Sequence, residues 1–137
     1  MENISSTTFP DLDDRFLPPH KWRWHHFKVP SGRKLRFGTA APIDTAPKGV
    51  VILLPGRTEF IEKFFETAQT LLRHNYSFWM MDWYGQGRSD KPLDNKHKHH
   101  SYGFNHDVED LHYFIMQYVK YASVHPEKGR LPLIMLS

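Results

Sequence analysis

The chain has 137 residues, enough for about one domain, and its 39% hydrophobic, 24% charged composition excludes a wholly disordered protein. It contains no cysteine, which excludes disulfides, cysteine nucleophiles and thiolate metal sites. The net charge is +3, with four acids against Arg15 alone in residues 1–19, so those residues hold −3 and residues 20–137 hold +6. That bias favours anionic surfaces or substrates. No nucleic-acid-binding motif accompanies it, and no nucleic-acid partner is expected. No apolar run approaches the roughly 18 residues of a membrane-spanning helix. The opening, MENISSTTFPDLDD, lacks the basic and apolar regions of a secretory signal, so a cytoplasmic location is expected.

Residues 1–19 carry Pro10, Pro18 and Pro19 with no sustained period, and read as a flexible arm. A hairpin follows. Lys21–Val29 sets Trp22 and Trp24 on one face, Pro30-Ser31-Gly32 turns the chain, and Lys34–Gly38 returns with Leu35 and Phe37 on a single face. This pattern predicts one packed side and one wetter side. Val50–Leu54 is a continuous apolar run, as in a parallel strand covered on both faces. The spacing of Phe60, Phe64, Ala68 and Leu71, widened by Phe65 and Leu72, predicts a helix from about Phe60 to His74, with Asn75 as terminator.

Tyr76–Met81 is the next strand, ending at Asp82. Residues 84–103 form a long polar connection. A second helix starts near Asn105, with Val108, Leu111, Ile115, Tyr118, Val119 and Ala122 as its apolar stripe, and stops before Pro126. Leu131–Leu136 reads as another buried strand, and the chain ends on Ser137 as if interrupted. Hairpin, strand, helix, strand, helix, strand is an α/β order: an antiparallel hairpin followed by parallel strands with crossover helices.

Ligands of open α/β sheets gather beyond the carboxyl ends of the parallel strands. Two such ends lie within the chain: Pro55-Gly56-Arg57-Thr58-Glu59, and Asp82-Trp83-Tyr84-Gly85-Gln86-Gly87-Arg88-Ser89. The first is a turn feeding a helix, whose N–H groups suit a developing negative charge, and Gly56 permits close approach. The second has two glycines two apart, suited to a tight turn.

These pieces resemble the α/β-hydrolase family, in its lysophospholipase, monoacylglycerol lipase and serine aminopeptidase-like branch. Leu53–Glu59 stands where many relatives have His-Gly-x-x-Glu, and Asp82–Ser89 fits Asp-x-x-Gly-x-Gly-x-Ser. Phe104–Leu111 looks like the start of the helix before the nucleophile strand. The resemblance covers residues 21–137, and the Gly-Arg-Thr-Glu form at 56–59 is most similar to bacterial lysophospholipase-like members.

The resemblance implies that residues 20–137 are the N-terminal part of a hydrolase domain. Its nucleophile would sit in a Gly-x-Ser-x-Gly elbow whose first position aligns with Ser137, so the serine, acid and histidine are expected beyond this chain. The backbone N–H of Arg57 would be one oxyanion donor, with Gly56 and Glu59 supporting the loop. Pro55 departs from the histidine of many relatives. The substrate implied is a lipid or other carboxylic ester, with a peptide as the alternative, and peripheral membrane contact remains open. The isolated chain is expected to be inactive. A catalytically inactive remnant or interaction module shares every residue seen here.

Plainer readings stand beside these. Arg57 fits a solvated turn, and Glu59 a favourable charge at a helix start. Asp82, Gly85, Gly87 and Ser89 read as a structural turn, since Ser89 has no evident base. His97, His99 and His100, with His106 and Asp107 beyond, are of metal-ligating type. Adjacent Lys96 and Lys98 argue for a solvated loop bordering a substrate entrance instead. No metal and no cofactor is expected. The unpaired edge at Leu131–Leu136 leaves self-association as an expected hazard.

Overall fold

The computed structural model describes residues 16–91 and 104–137. Five strands form one mixed sheet: β1 (Arg23–Lys28), β2 (Lys34–Ala40), β3 (Gly49–Leu53), β4 (Tyr76–Asp82) and, last in the chain, β7 (Leu133–Leu136). Their order across the sheet is β1-β2-β4-β3-β7. The pairs β1/β2 and β2/β4 are antiparallel, whereas β3 runs parallel to both β4 and β7. Two short strands, β5 (Val124–His125) and β6 (Gly129–Arg130), make a separate ladder around Pro126.

Period-two alternation divides the central strands between two cores. Val50 and Ile52 of β3, with Trp79 and Met81 of β4, join Phe27, Leu35, Phe37, Phe114 and Val119 on one face. Leu53, Phe78 and Met80 face the other side with Ile61, Phe65 and Ala68. All five residues of β3 are buried, as a strand covered by helices on both faces requires.

The hairpin departs from the expected one-sided pattern. β2 is buried from Leu35 to Ala40 on both faces, because Leu35 and Phe37 enter one core while Trp22 covers the opposite face. On its second face Trp22 lies so close to Gly38 that a Cβ there would sit 2.2 Å from the indole. The Trp22 and Trp24 rings meet edge to face at 5.6 Å, and both contact Phe65.

The first helix opens as a 3-10 turn, Ile61–Phe64, before α1 (Phe65–Arg73). That tighter opening shifts the buried line to Ile61, Phe65 and Ala68, and leaves Phe60 exposed. The helix ends where expected. Asn75 adopts a left-handed φ of 68° and donates its N–H to Leu72 O at 3.0 Å.

The second helical stretch comprises α2 (Phe104–Phe114), a π turn (Ile115–Val119) and α3 (Lys120–Ala122). Phe114 is fully buried although the sequence stripe omitted it, and Val108 is exposed although the stripe included it. The strand expected over Leu131–Leu136 forms only from Leu133, and it is not buried. Leu133, Ile134, Met135 and Leu136 are 40–49% exposed, because β7 is the sheet's outer strand. Leu131 alone is buried. Most of the expected arm, and the run containing His97, His99 and His100, lie outside the described residues.

Candidate functional site

Parallel pairing brings the carboxyl ends of β3, β4 and β7 to one end of the sheet. Leu54 N–H donates to Leu136 O at 2.8 Å, so the chain leaving β3 stays beside β7. It then turns through Pro55, Gly56, Arg57, Thr58 and Glu59. Gly56 N–H donates to Glu59 Oε1 at 2.7 Å, and Glu59 N–H returns to Gly56 O at 3.2 Å. A Cβ at Gly56 would sit 2.8 Å from that carboxylate oxygen. Thr58 takes a left-handed φ of 67°, a costly conformation for a β-branched residue, so the surrounding structure must hold it there. The Arg57 N–H makes no hydrogen bond among the described residues, and Arg57 is exposed.

The second turn leaves β4 at Asp82, which is completely buried. Arg36 of β2 donates Nε and Nη2 to Asp82 Oδ2 at 2.9 and 2.6 Å. The Arg88 N–H adds a bond to Oδ2 at 3.2 Å, and the Ile61 N–H donates to Oδ1 at 3.1 Å. Arg36 also grips Glu62 with Nη1 and Nη2 at 3.0 and 2.8 Å, and its guanidinium lies 4.1 Å from the centre of the Trp24 ring. Charge-assisted, two-pronged pairing of this kind satisfies groups that would otherwise be costly to bury.

Burial pushes the Asp82 carboxyl above its ordinary pKa, against the opposing pull of Arg36 and the Arg88 and Ile61 N–H groups. Burial is again the largest single influence on Glu62 and pushes its pKa up, but the Arg36 hydrogen bonds, a backbone hydrogen bond and the Arg36 and Arg88 charges together hold that carboxyl below its ordinary value. Burial disfavours the Arg36 cation, yet Glu62 and Asp82 together raise its pKa, so it stays charged.

Gly85 and Gly87 take φ of +88° and +54°. The Ser89 hydroxyl donates to Asp82 O at 2.7 Å and accepts the Arg36 N–H at 2.9 Å. No histidine or carboxylate hydrogen-bonds that hydroxyl among the described residues. At the start of α2, burial raises the pKa of Asp107 against the opposing pull of the Arg33, His106 and Arg57 charges. Asp110, one turn along, receives two hydrogen bonds from Arg33 Nη2 at 2.9 and 3.0 Å.

The structure thus gathers Gly56, Arg57 and Glu59 in one loop, and Asp82, Gly85, Gly87 and Ser89 in its neighbour. Sequence reasoning missed Arg36 and Glu62. The available signal was a charged residue between Leu35 and Phe37 in an apolar strand.

A hairpin and parallel strands that carry two turn motifs to one end, with helices on both faces, define the N-terminal part of the α/β-hydrolase fold. Within that fold the chain belongs to the family described as serine aminopeptidase, S33, whose profile matches residues 45–137. Lysophospholipase L2 of Escherichia coli strain K12 is 33% identical over 94 residues, covering 64% of this chain and 28% of that protein. The chain therefore spans less than a third of that relative's length. A soluble variant of monoglyceride lipase from Saccharomyces cerevisiae superposes with a TM-score of 0.64 at 18% identity, over 82% of this chain and 34% of that one. A carboxyl esterase from Bacillus coagulans gives 0.63 at 20% identity, over 83% and 35%. Among the described residues no helix is long and apolar enough to cross a membrane.

Proposed function

We propose that this chain forms the N-terminal part of a serine hydrolase of carboxylic esters, of lysophospholipase or monoacylglycerol lipase type, at work in the cytoplasm or on a membrane surface. The observation that carries the reading is the division of labour in the 55–59 loop. Glu59 takes up the Gly56 N–H, while the next N–H, that of Arg57, has no hydrogen-bond acceptor among the described residues. An unclaimed N–H in a braced turn is suited to receive a developing oxyanion.

On this reading Arg57 N–H is one oxyanion donor, and Gly56 and Glu59 shape the loop. Asp82, Gly85, Gly87 and Ser89 form a structural turn, and the serine, acid and histidine belong to sequence after residue 137. In the whole enzyme the serine attacks the acyl carbonyl, the histidine carries the proton to the leaving alcohol, and water releases the acid. Each oxyanion donor of this kind is worth about 3 kcal/mol in the transition state. A lipid ester is favoured over a peptide by the similarity to lysophospholipase L2.

The test is to assay the purified 137-residue chain with p-nitrophenyl acyl esters and a fluorophosphonate probe. Neither turnover above background nor labelling is expected. Stoichiometric labelling mapped to Ser89 would overturn the assignment of the nucleophile and of the second turn together.

A further inference from the structure

Two adjacent residues at the end of β4 reach opposite ends of the 55–61 segment, and they do so with opposite polarity. The Trp83 indole Nε1–H donates to Pro55 O at 2.8 Å, where the segment begins. The Asp82 carboxylate accepts the Ile61 N–H at 3.1 Å, where the segment enters its 3-10 turn. Arg36, fixed to both Asp82 and Glu62, prevents the second anchor from shifting. Between the anchors lies Thr58 in its left-handed conformation, and the Glu59–Gly56 hydrogen bond.

We propose that Trp83 and Asp82 are positioning residues that set the direction of the Arg57 N–H. Neither touches the reacting atoms. The inference rests on the oxyanion-loop reading for its functional meaning, while the clamp itself is a property of this chain. A loop with strain at Thr58 relaxes when either end is released, and the N–H two residues past the Pro55 carbonyl then turns away. Displacing a catalytic group by about 1 Å costs on the order of 10²-fold in rate, which is why a clamp at both ends matters.

The Trp83 anchor is testable without activity. Amide resonances and ¹⁵N relaxation of Gly56–Thr58 are to be compared in the parent chain, in Trp83→Phe, and in a chain with β-(3-benzothienyl)alanine at position 83, all three carrying Ile134→Lys and Leu136→Lys on the outer strand to keep the chain monomeric. The benzothienyl group keeps the shape of the indole and lacks only its N–H, so a folding defect of the phenylalanine variant would not obscure the result. The Gly56 amide proton, on a short bond to a carboxylate, is expected downfield in the parent and upfield in both variants. Order parameters of residues 56–58 are expected to fall from about 0.85 toward 0.6. Val51 and Phe78 amides should stay in place as markers of the intact sheet.

Unchanged shifts and order parameters at 56–58 in the benzothienyl chain would overturn the clamp and leave the assignment of Arg57 standing. Fluorophosphonate labelling at Ser89 would do the reverse.

Discussion

Gly87 faces the Asp82 carboxylate so closely that an added Cβ would lie 2.3 Å from Oδ2, and its φ of +54° is itself unfavourable for a side chain. Gly85 shares the positive φ, at +88°, but a Cβ there meets open space. The two glycines of one motif therefore do different work. Gly85→Ala is expected to cost about 1 kcal/mol for conformation alone. Gly87→Ala must also displace a buried carboxylate from its cation, and about 3–5 kcal/mol is expected. Urea denaturation of both variants checks this, and equal costs would show that Gly87 is needed only for its φ. The turn itself was legible in the Gly-x-Gly spacing. Its purpose was not, because Arg36 lies 46 residues before Asp82 and looks like the solvent-facing member of an alternating strand. A charge between Leu35 and Phe37 is the local sign of an ion pair across the sheet, but it does not name the partner. The residues of the 55–59 turn were easier to find, since they are contiguous and sit at a strand end.

Among the elements, strand positions were more legible than helix faces, for a geometric reason, although the burial of β2 and β7 departed from expectation. The side-chain period of a strand survives to its ends, whereas a helix period assumes 3.6 residues per turn throughout. Here α1 is preceded by a 3-10 turn, and α2 runs into a π turn at Ile115–Val119, so each stripe drifts from its expected line. The consequence is sharpest at Phe114. Its ring is fully buried against Phe27, Phe37 and Trp79, with centroids at 5.8, 5.1 and 6.1 Å. Phe114→Ala is expected to cost about 3–5 kcal/mol, because it removes the contact by which α2 covers the sheet. Val108→Ala, at a position 46% exposed, should stay within about 0.5 kcal/mol. Guanidinium denaturation midpoints of the two variants decide between the observed packing and the simple periodic stripe, which ranks Val108 above Phe114.

For the molecule as a whole, the two faces of the sheet differ less than its two edges. β1 closes one edge with an almost wholly exposed strand that carries Arg23, His25, His26 and Lys28, the charged kind of edge that discourages pairing. β7 forms the other edge with Leu133, Ile134, Met135 and Leu136, each 40–49% exposed and hydrogen-bonded to β3 alone among the described strands. Such an edge combines free backbone groups with apolar side chains on both faces, and it is a template for another strand. The +6 charge of residues 20–137 opposes association only in part, since it is spread over the chain and screened beyond roughly 10 Å at ordinary salt. The isolated 137-residue chain is therefore expected to self-associate. Light scattering should report species larger than the 16.2 kDa monomer. The paired substitution Ile134→Lys with Leu136→Lys should shift them toward monomer, by placing charge on the edge. Hydrogen exchange supplies the second reading: the Leu133–Leu136 amides should be protected less than those of Val51 and Ile52, which lie between two strands. A monodisperse monomer with equal protection across β3 and β7 would show that this edge is not open in solution.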